Sequence, residues 1–362
     1  MFQVFFDLPY NKYRGHPHWV PPLRMSERGL LNTRKNPFFE HATMQLFVAY
    51  EDGRVQGRIA AIDDRLHNET HPDNLASFGF FEANTEEAAR ALLGRVEAWA
   101  RERGRQRVRG PVNPSLNDSA GMLVDAYQSD PQLMMPYNPP EYPGFVEAAG
   151  YRKIKDLWAW YLDLTAEGTE MTDNLLALSG RIKQRYGIHI RSIDMSRFNE
   201  ELKILWEIYC AAWKHNWGFV PPTDREFSHT AAELKQIVDP EFVLCVEIGG
   251  APAACAVAVP DINQVLKGTD GKLFPLGLIR LLRRKAIIDR GRLLLLGVRP
   301  QFRHMGVYPL LLTELYRRAK RRHYRSVECS WVLEDNADIN QPAAASGMLR
   351  HYKTYRLYQK EL

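Results

Sequence analysis

Two stretches of the chain have the pattern of a β-hairpin, in which two apolar segments flank a pair of turn residues. In residues 46–62, two apolar segments flank an Asp-Gly pair at 52–53, and in residues 242–259 two such segments flank a Gly-Gly pair at 249–250. These turn residues readily adopt the left-handed backbone of a two-residue hairpin turn. The pattern therefore predicts one hairpin in each half of the chain.

Each predicted hairpin is followed by the order strand, helix, strand. The helices are indicated by apolar spacing and, in the first half, by Thr85 as N-cap. A strand that returns through a helix to a parallel neighbour forms a βαβ unit. The predicted segments are 77–81, 85–103 and 106–110 in the first half, and 292–298, 308–322 and 324–332 in the second.

The same order of elements closes both halves, with a polar and aromatic strand predicted in 151–164 and in 347–358. The repeat predicts an α/β protein made of two tandem copies of one domain, each with a mixed central sheet. We place the boundary near residue 165, which gives domains 1–165 and 166–362.

The two copies differ between the strand and the helix of the βαβ unit. The second half has Gly306 and three basic side chains, Arg299, Arg303 and His304, before its helix, whereas the first half has the short acidic segment 81–85. Free amides and the helix dipole make a helix N-terminus a binding site for anions. Only the second half is therefore expected to hold a phosphate group. The alternative is an ordinary helix start with a turn glycine.

The amino-acid composition gives no indication of a nucleic-acid-binding, membrane-spanning or secreted protein. The 362 residues carry 48 Lys and Arg against 43 Asp and Glu, a mild excess that does not require nucleic acid as a partner. The excess lies in the second half, since residues 1–165 have 19 basic and 21 acidic side chains and residues 166–362 have 29 and 22. No apolar run is long enough to span a bilayer, and the first residues are unlike a secretory signal.

The four cysteines favour a reducing compartment, because none forms a Cys-x-x-Cys pair. We therefore expect no structural zinc and no metal site. If the turn at 249–250 has two residues, Cys245 lies opposite Ala254 and Cys255 faces the other side of the sheet. Both thiols are then core residues.

The order of elements and the loop Arg303-His-Met-Gly306-Val-Tyr308 resemble the Gcn5-related N-acetyltransferase (GNAT) superfamily. The resemblance implies that the loop binds the pyrophosphate of an acyl-coenzyme A, which would be a co-substrate and not a resident cofactor. It also implies that a backbone amide at the end of the preceding strand polarises the thioester carbonyl. The residues implied in coenzyme A binding are Leu296, Gly297, Val298, Arg303, His304, Met305, Gly306, Val307, Tyr308 and Asn336.

Three positions depart from the superfamily pattern. Tyr308 stands where a glycine or alanine is usual, and Ala343 aligns with the tyrosine that protonates the departing thiolate. The strand 292–298 also lacks the glutamate that often acts as base. A thiol with an unperturbed pKa of roughly 8.5, by analogy with cysteine, can leave without a strong acid, so activity survives the loss of that tyrosine.

Further stretches are similar to a bacterial group of tandem GNAT proteins, some of which N-acylate long-chain bases in ceramide synthesis. The resemblance implies an acyl-CoA-dependent N-acyltransferase for an amine, with a sphingoid-type amine as one candidate. The alternatives are a non-catalytic acyl-CoA or lipid-binding protein, and an aminoacyl transferase that uses charged tRNA, which the small net charge disfavours. The stretches are 110–115, 135–138, 213–221, 260–263, 331–336 and 353–358.

Removing the amine proton requires a base, and four residues are candidates for proton transfer. Glu328 shares a strand face with Ser330, opposite Val327, Cys329 and Trp331, and its alternative role is an ion pair with an arginine. Asp261 follows the second hairpin and could instead form an Asx turn. Tyr355 and Tyr352 lie in the last predicted strand. Each could supply a proton, or each could be a packing aromatic residue.

The acceptor site is expected near Asn216, Trp217 and Asn263, while Asn336 has an alternative as a helix N-cap. Residues 273–288 combine leucines at helical spacing with arginines. This pattern favours an interfacial helix on an anionic membrane or an entrance for an acyl chain, and the alternative is an amphipathic helix that covers the sheet. We expect the protein in the cytoplasm, with peripheral contact at the inner membrane surface through 273–288.

Overall fold

A computed structural model describes residues 1–167 and 173–362. The elements of the first half are α1 (Phe2–Lys12), α2 (Arg24–Leu30), β1 (Ala42–Glu51), β2 (Arg54–Asp64), α3 (Arg65–Thr70), β3 (Leu75–Ala83), α4 (Glu86–Glu102), β4 (Arg107–Gly110), β5 (Val112–Asn113), β6 (Ser119–Ala120), β7 (Met122–Leu123), α5 (Tyr142–Ala148) and β8 (Arg152–Asp163).

The second half begins with α6, after the undescribed residues 168–172. Its elements are α6 (Asp173–Tyr186), β9 (Ile188–Ser192), α7 (Phe198–Trp213), α8 (Asp224–Leu234), β10 (Val243–Ile248), β11 (Ala251–Pro260), α9 (Asn263–Leu266), α10 (Leu276–Leu282), α11 (Arg284–Ile287), β12 (Arg290–Val298), α12 (Val307–Arg321), β13 (Ser326–Leu333), α13 (Ala337–Ala345) and β14 (Leu349–Glu361).

Within these described residues, twelve strands form one mixed sheet, with β5 and β6 pairing apart from it. The path through the sheet is β1, β2, β3, β4, β14, β8, β13, β12, β11, β10 and β9, with β7 pairing beside β14. The parallel pairs β3–β4 and β12–β13 confirm both predicted βαβ units. Thr85 caps α4 as predicted, because its side chain accepts a hydrogen bond from the amide of Ala88.

Both predicted hairpins are confirmed, but the expected register of the second is wrong. The turn residues at 52–53 and 249–250 have positive φ angles, as a two-residue turn requires. In β11 a bulge adds one residue between Pro252 and Ala254, so that Cys245 pairs with Cys255. Both cysteines are nevertheless buried and free, as expected of core residues.

The last strand of each half pairs with strands of the other half. β14 belongs to the second half along the chain, yet it pairs with β4 and β8 of the first half. β8 in turn pairs with β13 of the second half. The boundary near residue 165 stays a prediction, and the hydrogen-bonded sheet passes across it without a break.

Side-chain contacts also join the halves. Nδ1 of His41 lies 2.8 Å from Asp64, and its Nε2 lies 3.2 Å from Glu226 at the start of α8. Burial lowers the pKa of His41, but the two carboxylates outweigh burial and raise the pKa to about 9. The imidazolium therefore ties α8 to the first half at neutral pH. In the described part of the chain, no helix combines the length and the apolar character needed to cross a bilayer.

Candidate active site

Strands β12 and β13 separate at the centre of the sheet. Their parallel pairing runs from Arg290 with Ser326 to Leu293 with Cys329 and then stops. Beyond this point β12 continues along β11 as far as Val298, while β13 continues along β8. Among the described residues, one edge of β12 after Leu293 therefore has no strand partner, which leaves main-chain groups available to a ligand.

The loop after β12 leads to the N-terminus of α12, which has no side-chain cap. A 3-10 turn over 300–305 leads to Gly306, whose φ of 71° is the left-handed conformation that glycine adopts without strain. The first turn of α12 has neither a side-chain cap nor an acidic residue. In contrast, α4 is capped by Thr85 and has Glu86 and Glu87 in its first turn. An anion is therefore favoured at α12 and disfavoured at α4.

The basic side chains of this loop differ in their surroundings. Arg303 is exposed, but it donates one hydrogen bond to the carbonyl of Ala212 at 2.8 Å and another to Val298 at 3.4 Å. This arginine anchors the loop to the end of α7. His304 is exposed and faces solvent.

The apolar residues of the loop contribute through their main chain or their packing. Val307 is buried in the core beneath α12, so only its main chain can contact a ligand, and the partly buried Met305 packs against the same core. The side chain of Tyr308 lines a large cavity, and its burial raises the pKa of its hydroxyl well above the usual value. A Cβ at Gly297 would lie 2.3 Å from Cζ3 of Trp213, so this glycine allows α7 to pack on β12.

A mostly apolar cavity of about 800 Å³ lies between the two halves. Its walls come from the first half, from α7 and α8, and from the separated ends of β12 and β13. Of the residues predicted to bind coenzyme A or the acceptor, Gly297, Val298 and residues 303–307 lie outside its lining. Those that line the cavity are Leu296, Tyr308, Asn336, Asn216, Trp217 and Asn263.

A buried polar network lies where β12 and β13 begin to separate. Glu328 is 1% exposed, and its carboxylate accepts hydrogen bonds from Ser330 and Tyr352. Arg292 donates to the hydroxyl of Ser330 at 2.8 Å and to its carbonyl at 3.1 Å. Arg292 and Ser330 line the cavity, whereas Glu328 lies behind them. The predicted base therefore reaches the cavity through the hydroxyl of Ser330.

Asp261 lies close to this network at the end of β11. Its Oδ2 is 3.3 Å from Nη2 of Arg290, and its Oδ1 accepts from the amide of Asn263 at 3.3 Å, which is the Asx turn considered above. The carboxyl group is fully buried. Burial raises the pKa of Asp261 to about 7, with Arg290 acting against it and Glu328 adding to it.

Tyr355 is the predicted site residue that the structure places least favourably. It is fully buried in the core of the first half, its hydroxyl has no hydrogen-bond partner among the described residues, and it does not line the cavity. Tyr352, by contrast, donates to Glu328. The position of Tyr355 supports the alternative of a packing aromatic residue.

Two acceptor-side residues keep their polar groups available. Asn336 stands at the N-cap of α13, but its side chain makes no capping hydrogen bond there. The ring of Trp217 lies between the guanidinium of Arg109, 4.8 Å from its centroid, and the ammonium of Lys155 at 5.4 Å. No local pattern indicated a site role for Arg292 or Arg109, which are arginines buried in strands β12 and β4.

The titration of Asp261 gives a pH-dependent expectation. Its pKa is raised from 3.8 to about 7, so the folded state favours the protonated carboxyl. The resulting stabilisation is complete below about pH 4 and is lost as the pH rises through about 7. Asp261→Asn should therefore gain stability relative to the wild type between about pH 5 and pH 8. Urea unfolding of both proteins across this range measures the difference, and a difference that does not change with pH would contradict the assignment.

Comparisons with known proteins agree with this geometry. No protein-family model matches the sequence. The sequence is 36% identical to the bacterial ceramide synthase of Caulobacter vibrioides (strain NA1000 / CB15N), over 99% of this chain and 94% of that protein. It is 35% identical to Protein YghO of Escherichia coli (strain K12), over 99% of this chain and 93% of that protein.

Among solved structures, the fold is similar to a tandem GNAT protein from the clavulanic acid biosynthesis pathway. The TM-score is 0.56 at 15% identity, over 99% of this chain and 94% of that chain. The similarity confirms the predicted fold class of two tandem GNAT-like domains, and the whole-chain identity to two bacterial proteins confirms the resemblance seen in the sequence. The chain therefore belongs to the family of these two bacterial relatives, and its fold is that of a tandem GNAT protein.

Proposed function

We propose that the protein is an acyl-CoA-dependent N-acyltransferase whose acceptor is a long-chain amine. The fold and the relatives support acyltransferase activity in general. The observation that carries the specific proposal is an uncapped α12 start beside separated strands that open into an apolar cavity. A diphosphate fits the first of these features, and a lipid chain fits the last.

The cavity supports an apolar substrate. Its volume of about 800 Å³ lies in the upper part of the range of roughly 300–1,000 Å³ that is usual for small-molecule sites. Acetyl transfer to a small amine would not need so large an apolar space. The relative from Caulobacter vibrioides is named a bacterial ceramide synthase, which favours a sphingoid-type amine for this chain as well.

The proposed reaction forms one bond and breaks one bond. The neutral amine attacks the thioester carbonyl carbon, the C–S bond breaks, and coenzyme A leaves as the thiolate. The proton lost by the amine passes to the hydroxyl of Ser330 and from there to Glu328, since these two groups are hydrogen-bonded. A main-chain amide in 294–298, on the free edge of β12, would stabilise the oxyanion.

The donor and the compartment are part of the proposal. A coenzyme A thioester is the donor, and the capped, acidic start of α4 offers no competing anion site in the first half. No nucleic acid takes part in the proposed reaction. The four free cysteines fit a reducing cytoplasm. Peripheral contact with the inner membrane surface, through residues 273–288, would bring the protein to a lipid amine.

The test is a thiol-release screen. Acyl-CoA donors from acetyl to palmitoyl are combined with sphingoid bases, polyamines and amino acids, and release of coenzyme A is followed together with the mass of the product. We expect release and an N-acyl amide with a long-chain amine and little turnover with amino acids. Binding of acyl-CoA without release for any amine would instead favour a non-catalytic acyl-CoA-binding protein.

A further inference from the structure

Exposed apolar side chains are concentrated in one short segment. Among the described residues, eight large apolar side chains are exposed, and four of them lie within nine residues in and before α10. Exposed leucines and phenylalanines are common singly, but a cluster indicates a contact surface. The four are Phe274 (74%), Leu276 (64%), Ile279 (52%) and Leu282 (74%).

The same segment is strongly basic. No aspartate or glutamate occurs between residues 271 and 288. Lys272 lies 3.6 Å from Asp270, and within residues 1–167 and 173–362 the other four cations have no carboxylate within ion-pair distance. Arg280 donates to the carbonyls of Gln264 and Lys267 and so holds α10 on α9. The cations of the segment are Lys272, Arg280, Arg283, Arg284 and Lys285.

This surface borders the mouth of the cavity. Leu273, Gly277 and Leu281 line the cavity and alternate along the chain with the exposed apolar residues. Met25 at the start of α2 is 72% exposed and also lines the cavity. The two segments are joined where the amide of Arg24 donates to the carbonyl of Gly271 at 3.0 Å. We call residues 272–285 together with Met25 the α10 face.

We propose that the α10 face docks on an anionic phospholipid bilayer and that a lipid chain enters the cavity directly from the membrane. This inference rests on the proposed function, because it names the source of the lipid substrate. Exposed apolar side chains beside unpaired cations match a bilayer surface, where the chains insert below the headgroups and the cations meet lipid phosphates. A soluble protein partner would need acidic residues opposite the cations.

Vesicle co-sedimentation tests the docking. Vesicles of equal parts phosphatidylglycerol and phosphatidylcholine are compared with vesicles of phosphatidylcholine alone. We expect the wild type to bind the anionic vesicles and the variant Phe274→Ser, Leu276→Ser, Leu282→Ser to bind them about ten-fold more weakly. Tyr50→Ser, an exposed apolar residue elsewhere, is the control and should bind like the wild type. These three α10 residues do not line the cavity.

Charge reversal gives a second, independent variant. Arg283→Glu with Lys285→Glu should weaken binding to anionic vesicles several-fold, whereas Arg54→Glu with Lys203→Glu makes the same charge change at other exposed positions and should not. Wild-type protein that does not bind anionic vesicles, or α10-face variants that bind like the wild type, would overturn the docking proposal.

The activity of the same variants separates this inference from the proposed function. With a shortened, water-soluble analogue of the long-chain amine the serine variant should keep the wild-type rate, and with a vesicle-borne long-chain amine it should be slower. Vesicle binding without any acyl transfer would contradict the proposed function and leave docking intact. Acyl transfer without vesicle binding, at equal rates in wild type and variant, would contradict docking alone.

Discussion

Glutamate in place of Gly306 is expected to weaken acyl-CoA binding by about 100-fold or more, because a carboxylate near a diphosphate in a partly buried site is strongly repelled. Gly306 immediately precedes α12, whose first-turn amides have no side-chain cap. The new side chain would also occupy the amides that the diphosphate needs. Isothermal titration calorimetry with coenzyme A and with palmitoyl-CoA measures the loss.

Two control variants separate charge from backbone strain. Gly306→Ala places a side chain in the same left-handed conformation, at a cost of roughly 1 kcal/mol, and adds no charge. Its Cβ would lie 3.3 Å from Cδ1 of Ile182, a contact that a small shift relieves. Gly104→Glu puts the same charge on a left-handed glycine after α4, where the space is open. Both should bind acyl-CoA far better than Gly306→Glu, and equal losses in all three would contradict the proposed phosphate site.

Glu328→Gln is expected to lower kcat by about 100-fold or more and to change KM little, as loss of a general base does. The carboxylate accepts from Ser330 and Tyr352 and is the acceptor to which the amine proton would pass. Glutamine keeps the shape but not the basicity. Steady-state kinetics of thiol release, with the amine varied, give kcat and KM separately.

Ser330→Ala is the matched variant for this step. Glutamine at 328 removes a negative charge that stabilises the buried Arg292, so part of any loss could be structural. Ser330→Ala retains Glu328 and Arg292 but removes the hydroxyl that connects Glu328 to the cavity. It should lower kcat, and the loss of one buried hydroxyl should cost roughly 1–3 kcal/mol of stability, which a protein of ordinary stability tolerates. Normal kcat in a folded Ser330→Ala protein would exclude the relay through this hydroxyl.

Local pattern was sufficient to predict most strands of the large sheet and the helices of both βαβ units. The turn pairs at 52–53 and 249–250 and the N-cap Thr85 are short-range signals, and the structure has two hairpins and α4 at those places. The loop before α12 was also predictable, because an uncapped glycine at a helix start depends on a few adjacent residues. Such signals act within a few residues and do not depend on tertiary packing.

Long-range features could not be predicted in this way. β8 pairs with β13 and β14 pairs with β4, so each of these strands pairs with a strand of the other half of the chain. These pairings depend on contacts between strand edges that are distant in sequence, and the composition of a strand does not indicate which edge it will join. The bulge that brings Cys245 opposite Cys255 inserts one residue beside Pro252, and the Gly-Gly turn pair alone gave no sign of this shift. The cavity is built from both halves, so no single segment indicated its size.

For the predicted site residues, agreement with the structure depended on where each side chain is buried. Strand alternation correctly placed Glu328 and Ser330 on one face, because a period of two follows from strand geometry. Alternation could not show that Tyr355 would face the core of the first half, since that depends on the pairing of β14 with strands of the first half. The position of Arg292 beside the cavity could not be predicted, because it depends on the pairing of β12 with β11 and β13.

A crystal structure of the protein with bound palmitoyl-CoA tests the central claim most directly. We expect the phosphate oxygens to accept hydrogen bonds from main-chain amides at 305–308, with the thioester between β12 and β13 and the acyl chain in the cavity. A coenzyme A bound at the start of α4, or on the outer surface with the space between β12 and β13 empty, would contradict it.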